Sequence, residues 1–283
     1  MGIIISLPIS LLLLWLVLKP KKDDSFPKGG LWRLLIAGAI STILSAILSQ
    51  VLSLSLAAIR IGPGTFFDAI QTFRSDPAKG NELMANLSAN KVPSPLWTLF
   101  TTLITAGLLE ELFKYFACRA AIRKEGMIRT WMDVVICFTV VGLTFQVLEN
   151  LLYGGQYGIF VAIFRNLAPG HFIFGVIMGW YYGKYLITGE KKYRIQSIFW
   201  PALIHTLFDT ALRLMPSSKE GAALTAVDKL YIVLGLLAFV AAFISAIVIV
   251  VKLVNWRKKG TLNQPVHTPT PDINQGNKLK KTK

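Results

Sequence analysis

Seven stretches of this chain are apolar and long enough to cross a lipid bilayer, at about 3–18, 31–59, 96–121, 131–153, 157–187, 196–214 and 229–254. A helix of roughly 20 apolar residues matches the hydrocarbon thickness. The pattern predicts an all-α fold, a polytopic membrane helix bundle of about seven spans. The fifth span is expected to be interrupted, because Arg165-Asn166 and Pro169-Gly170 fall inside it. Composition agrees: 53% of residues are hydrophobic and only 16% charged, which excludes an ordinary soluble domain. The net charge of +15 does not signal nucleic acid, since the basic residues sit in short clusters between apolar runs and at the C-terminus.

Those clusters alternate. One set of loops and the tail carries 21 Lys and Arg, and the opposite set carries 8. By the positive-inside rule the N-terminus is expected outside and the C-terminus in the cytoplasm of a multi-pass cell-membrane protein. No basic residue precedes the first run, whereas Lys19, Lys21 and Lys22 follow it, so it reads as an uncleaved anchor. The chain then divides into N-terminal spans with a long outer loop (1–95), a membrane core (96–215), a final span (216–259) and a disordered basic cytoplasmic tail (260–283). The loop at 60–95 contains Gly62-Pro63-Gly64 and an amphipathic stretch around Phe66–Phe73. Cys118 and Cys137 lie at or within spans and read as packing residues, with no disulfide framework.

Against this background the ionisable residues inside the spans stand out. They are Glu110, Glu111 and Lys114 in one run, Glu149 beside Asn150 in the next, His171 after the break, and His205 with Asp209 in the sixth. A charge near the bilayer centre costs roughly 2.5–3.5 kcal/mol, so four carboxylates and an ammonium left unpaired would cost on the order of 10 kcal/mol. Such groups must face one another or a water-filled cavity. Lys114 can reach Glu110 at i,i+4 or Glu111 at i,i+3. Adjacent helical residues diverge by about 100°, so one glutamate can face a cavity while the other is held toward a neighbouring helix. His205 and Asp209 share a helix face, and Asp209 is expected to orient the imidazole. The bland alternative for each group is an ion pair that fixes helix packing. Gly175, Gly179 and Gly183 form a small-residue stripe that permits close packing.

Glu110-Glu111-x-x-Lys114, Phe145-x-x-x-Glu149 and His205-x-x-x-Asp209, in this order on separate hydrophobic helices, resemble the three motifs of the PrsW family of intramembrane proteases. That family is related to the type II CAAX prenyl endopeptidases. The resemblance covers roughly residues 96–215, and Asn150, Pro169 and His171 also fit it. The CAAX enzymes carry histidine in the second motif and asparagine in the last, where this chain has Glu149 and Asp209.

The resemblance implies peptide-bond hydrolysis within or beside the membrane. The residues are suited to it: Glu110 or Glu111 to activate water, His205 to assist as a further catalytic group, and Lys114, Glu149, Asn150, His171 and Asp209 to support them. His205 and Asn150 are candidate oxyanion contacts. A zinc site is the competing mechanism, with Glu149, His171, His205 and Asp209 as candidate ligands; no cofactor is demanded by the sequence itself. The implied substrate is a single-span membrane protein, of anti-sigma factor type by the resemblance, cut near the extracytoplasmic face of the bilayer. A proton- or ion-coupled transporter is the alternative from another class, and a CAAX-type prenyl protease the alternative within the same one.

Overall fold

A computed structural model of the chain describes residues 2–18, 27–80, 83, 94–157, 163, 165–215 and 225–266. Every regular element among the described residues is helical: α1 (Gly2–Leu18), α2 (Gly30–Ile61), α3 (Pro63–Ser75), α4 (Pro95–Ala121), α5 (Trp131–Tyr157), α6 (Gly170–Thr188), α7 (Lys191–Arg213) and α8 (Ala226–Lys259). Among the described residues, four helices are long and apolar enough to cross a membrane by length and composition alone, within α2, α4, α5 and α8. α1 is a shorter apolar helix, and α6 and α7 interleave their apolar residues with polar ones. The result is an all-α membrane helix bundle.

Helix α5 is its centre. Of its apolar stretch 78% is buried, against 33% for α2 and for α4 and 11% for α8. α1, α2 and α6 pack around α5, and α7 packs between α6 and α4. The outward faces of α2 and α8 carry Ile, Leu, Val and Phe side chains exposed on the isolated protein, a surface suited to lipid. Between helices in lipid, association rests on close packing, because the surroundings are as apolar as the side chains. The glycine stripe supplies that closeness. A Cβ at Gly175 would stand 2.8 Å from the Phe138 carbonyl oxygen, and one at Gly179 2.6 Å from Val135 Cα, so α6 lies directly against the α5 backbone.

Local signals set the remaining geometry. Pro63 begins α3 immediately after Gly62, whose positive φ turns the chain out of α2, and α3 covers the stretch expected to be amphipathic. Gly189, also at positive φ, closes α6 and leads through Glu190 into α7. The interruption of the fifth apolar stretch falls slightly later than expected. Arg165–Leu167 is helical and the break lies at Ala168-Pro169, while α5 runs on to Tyr157 and takes over the start of that stretch. The tail expected to be disordered from residue 260 begins with an ordered segment. Trp131 and Met132 donate backbone N–H groups to Gln264 and Leu262, Val266 donates to the Arg129 carbonyl, and Leu262 is fully buried. Residues 267–283, residues 216–224, most of the outer loop after Gly80 and the flanking Lys19, Lys21 and Lys22 lie outside the described residues. Cys118 and Cys137 are buried thiols that pack in the core, with no disulfide between them.

The stripe yields a direct test. Gly179→Leu places a side chain where the α5 backbone stands, and overpacking of this kind costs about 1–3 kcal/mol or more. A lowered thermal midpoint in detergent micelles is the expected outcome, with Ile204→Leu on the exposed face of α7 as the unaffected control.

Candidate active site

Helix α4 is not a regular helix throughout. Leu103–Leu108 is π-helical, immediately before the two glutamates. π-turns of this kind recur at functional sites because they re-aim the residues that follow. Here the turn seats Gly107 against α7: a Cβ at Gly107 would lie 2.0 Å from Thr206 Oγ1 and 2.8 Å from the Ala202 carbonyl oxygen. That approach sets Glu110 and Glu111 level with His205, one residue before Thr206 on the same helix.

Glu111 is fully buried. Its Oε1 accepts from Lys114 Nζ at 2.6 Å and meets His205 Nδ1 at 2.9 Å. An ionised carboxylate only accepts, so this pairing assigns a His205 proton to Nδ1, and in the neutral imidazole the lone pair is then on Nε2. Nε2 stands 4.0 Å from Glu110 Oε2 and 3.7 Å from Asp209 Oδ2. Lys114 Nζ also reaches His171 Nδ1, at 2.7 Å. An ammonium only donates, so Nδ1 of His171 accepts and its proton sits on Nε2, which meets Glu149 Oε2 at 2.5 Å. The two imidazoles therefore carry opposite tautomers, both imposed by the Glu111–Lys114 pair. Arg165 forms an ion pair with Glu149 and donates from Nε to Asn150 Oδ1 at 2.9 Å. Aromatic rings close the sides: Phe174 stacks on His205 with centroids 4.9 Å apart, Phe145 lies 4.7 Å from His171, and Lys114 Nζ sits 4.3 Å above the Phe145 ring.

Each glutamate keeps a buried Oε2 with no hydrogen bond within the protein, and that of Glu110 stands 3.9 Å from His171 Nε2 and 4.0 Å from His205 Nε2. The two imidazoles line a cavity of about 540 Å³ together with Gln146, Asn150, Arg165 and Asp209, walled on one side by Gly235, Leu236 and Phe239 of α8.

Every residue singled out in the sequence thus gathers in one place, with four helices and the Arg165 segment contributing. Of the two glutamates within its reach, Lys114 pairs with Glu111. Two details differ from expectation. Glu111, not Asp209, holds His205, because the Asp209 contact at 3.7 Å exceeds hydrogen-bond range. Among candidate metal ligands, Glu110, His171 and His205 offer atoms within 4.8 Å of one another, so Glu110 joins the set expected to contain Glu149 and Asp209. Gln146 and Arg165 were not anticipated as site residues. The signal was present for Gln146, one helical turn before Asn150 on the same face.

The donor set suits a divalent ion. Two imidazoles and a carboxylate are ordinary zinc ligands, and in a tetrahedral site ligand atoms stand roughly 3.4 Å apart. The unpartnered Glu110 Oε2 and its two neighbours at 3.9 and 4.0 Å lie a few tenths of an ångström wider. His205 presents a lone pair in the required direction. His171 would have to exchange its Nε2 proton, now facing Glu149, for a lone pair.

Fold and site together define a membrane-embedded helical protein with a buried cluster of acid–base residues opening on a cavity. Comparison with known proteins makes the class specific. Residues 27–245 match the PrsW family of intramembrane metalloproteases, and the chain belongs to that family. Proteins named Protease PrsW are similar to it. The one from Halalkalibacterium halodurans is 35% identical over 120 residues, covering 41% of this chain and 56% of the relative. Those from Bacillus subtilis and Clostridioides difficile are 32% and 30% identical over 120 and 124 residues, covering 41% and 40% of this chain and 55% and 52% of the relatives. The chain thus spans about half the length of the curated relatives it matches. No solved structure matches it.

The site predicts an asymmetric response to removal of its cation. Lys114→Met leaves Glu111 fully buried with only His205 as partner, and breaking a buried pair costs about 3–5 kcal/mol. Chemical unfolding in mixed micelles should show that loss, while Lys192→Met, which removes an exposed pair with Glu190, leaves the midpoint unchanged.

Proposed function

We propose that this chain is an intramembrane endopeptidase that hydrolyses a peptide bond of a membrane-anchored protein, with Glu110 as the general base. The observation that carries this reading is the environment of Glu110 Oε2, a buried carboxylate oxygen with no partner in the protein, facing two imidazoles beside a cavity. Family membership supports the peptidase class.

The chemistry follows from the wiring. A water in the cavity gives one proton to Glu110 while its oxygen lone pair bonds to the carbonyl carbon and the C=O π pair moves onto oxygen. On collapse that pair re-forms the carbonyl, the C–N bond breaks, and the leaving nitrogen takes the proton from Glu110. The products are a carboxylic acid and an amine, which then exchange a proton to become a carboxylate and an ammonium. Glu111 and Lys114 do not reach the substrate in this scheme; they hold His205 and His171 in their tautomers. His205 Nε2, with its lone pair, accepts a hydrogen bond from the attacking water and orients it. Glu149, held by Arg165, keeps His171 in place. If a divalent metal is resident, Glu110, His171 and His205 would hold it, and it would lower the pKa of a bound water.

The bond cut lies toward the extracytoplasmic face in this reading. His171 is the second residue of α6 and Asp209 lies four residues before the end of α7, at the end of the bundle opposite the basic loops around 122–130 and 189–194. With the positive-inside orientation that end is outside, the N-terminus is outside and the basic tail is cytoplasmic. A single-span protein of anti-sigma factor type is the proposed substrate.

Two measurements test the reading. Glu110→Gln, reconstituted in liposomes with a single-span substrate, should retain insertion and lose about 10²–10⁴-fold in cleavage rate. Product termini mapped by mass spectrometry should fall on the outer side of the substrate span, and full activity of the variant would overturn the role given to Glu110. A chelator arm separates the two versions of the chemistry: loss of activity together with loss of bound metal by elemental analysis supports the metal version, and unchanged activity supports the glutamate alone. Orientation is checked separately by labelling single cysteines at positions 75 and 124 in intact cells. Position 75 should react from outside and position 124 should not.

A further inference from the structure

Two buried side-chain amides line the cavity beside the reacting groups. Gln146 and Asn150 are one helical turn apart on α5, and their side chains are 2% and 0% exposed. In each, the amide oxygen is already taken. Gln146 Oε1 accepts from the Phe172 backbone N–H at 3.3 Å, and Asn150 Oδ1 accepts from Arg165 Nε at 2.9 Å. Those bonds fix which way each amide faces, since an N–H or a guanidinium can only donate. The opposite ends, Gln146 Nε2 and Asn150 Nδ2, are buried and have no hydrogen-bond partner in the protein.

A buried donor without a partner costs about 1–3 kcal/mol. Two of them, in register on one helix face, both oriented by a second residue and both at the wall of the cavity that His171 and His205 also line, form an arrangement that ordinary packing does not explain. Residues at i and i+4 have Cβ atoms roughly 6 Å apart, close enough for two amides to converge on one atom. The complementary ligand is a single acceptor bearing negative charge. Hydrolysis produces such an acceptor, the oxygen that receives the carbonyl π pair when water adds.

We propose that Gln146 and Asn150 form the oxyanion hole of this enzyme, with Gln146 Nε2 and Asn150 Nδ2 donating to the substrate carbonyl oxygen as charge develops on it. The assignment rests on the endopeptidase reading above. It makes Gln146 a catalytic residue, and it gives the Phe172 N–H and Arg165 a common task, to hold each amide with its nitrogen inward. Arg165 is then a positioning residue for Asn150 as well as for Glu149.

Each amide also has a plain structural role: Gln146 satisfies an N–H in the first turn of α6, and Asn150 anchors Arg165. The isosteric acids separate the two roles. Gln146→Glu and Asn150→Asp keep the acceptor oxygen and its bond but lose the inward donor. Wild type and both variants are reconstituted in liposomes with a synthetic single-span peptide and with the same peptide carrying a thioamide at the scissile bond. Each variant should lose about 10²–10³-fold in kcat with KM within about twofold. The thioamide, a weaker acceptor, should slow the wild type more than either variant. Thermal midpoints within a few degrees of wild type are expected. Unchanged kcat in both variants, or a fall in activity matched by a fall in thermal midpoint and an undiminished thioamide effect, would overturn the assignment while leaving the peptidase reading intact. Absence of any cleavage by the wild type overturns both.

Discussion

A single ammonium organises the polar interior of this bundle. Lys114 is 3% exposed, and its Nζ lies between Glu111 on its own helix and His171 on α6. An ion there is tolerable only if its donors are met, and meeting them decides the protonation of everything nearby. Glu111 must be ionised, so His205 carries its proton toward it. His171 must accept, so its other nitrogen turns a proton toward Glu149. Four carboxylates, Glu110, Glu111, Glu149 and Asp209, share three cationic side chains, Lys114, Arg165 and Arg213. Glu111, Glu149 and Asp209 each pair with one of them. Glu110 is the carboxylate left over, and it faces the two imidazoles.

The packing around the cluster makes this arrangement rigid. Hydrophobic burial contributes little between helices surrounded by lipid tails, so shape complementarity carries the association. The glycines of α6 bring its backbone onto α5, and Gly107 does the same between α4 and α7. Close backbones leave short side chains enough reach to bond across helices, as Glu111 does to His205. α8 is the exception: little of it is buried, yet it forms one wall of the cavity.

Much of this was legible in the residues themselves. Charged and imidazole groups inside apolar runs are too costly to be incidental, so Glu110, Glu111, Lys114, Glu149, His171, His205 and Asp209 announced a shared site. The spans in α2, α4, α5 and α8 were legible through their hydropathy. The partner choices were less so. Lys114 could reach either glutamate by helical spacing, and Asp209 shares a helix face with His205, whereas the partner actually used, Glu111, comes from a helix 94 residues away in sequence. Local spacing cannot express that competition, because it depends on how α4 and α7 meet. Gln146 was overlooked because a neutral amide in a span costs less than a charge and so raises less suspicion. The ordered start of the tail was overlooked because its Asn, Gln and Pro residues look like linker. What orders them is an edge of backbone at Arg129–Met132 with groups still to satisfy.

The π-helical turn in α4 has a consequence for how this helix tolerates change in length. Such a turn carries one residue more than the regular helix around it needs. The residues before it, Thr98 and Thr102, and those after it, Glu111, Lys114 and Cys118, are all buried. In an unbroken helix each added or deleted residue rotates one half against the other by about 100°. The extra residue therefore acts as a phase correction, keyed to the particular number of residues between Pro95 and Glu110. Loss of one residue between Leu103 and Leu108 would restore a regular helix with both halves still facing their neighbours, whereas loss of one residue from the regular helix on either side would rotate the halves by about 100°. The turn is thus where α4 holds slack in its count, and the glutamates keep their azimuth because the surplus is absorbed before them.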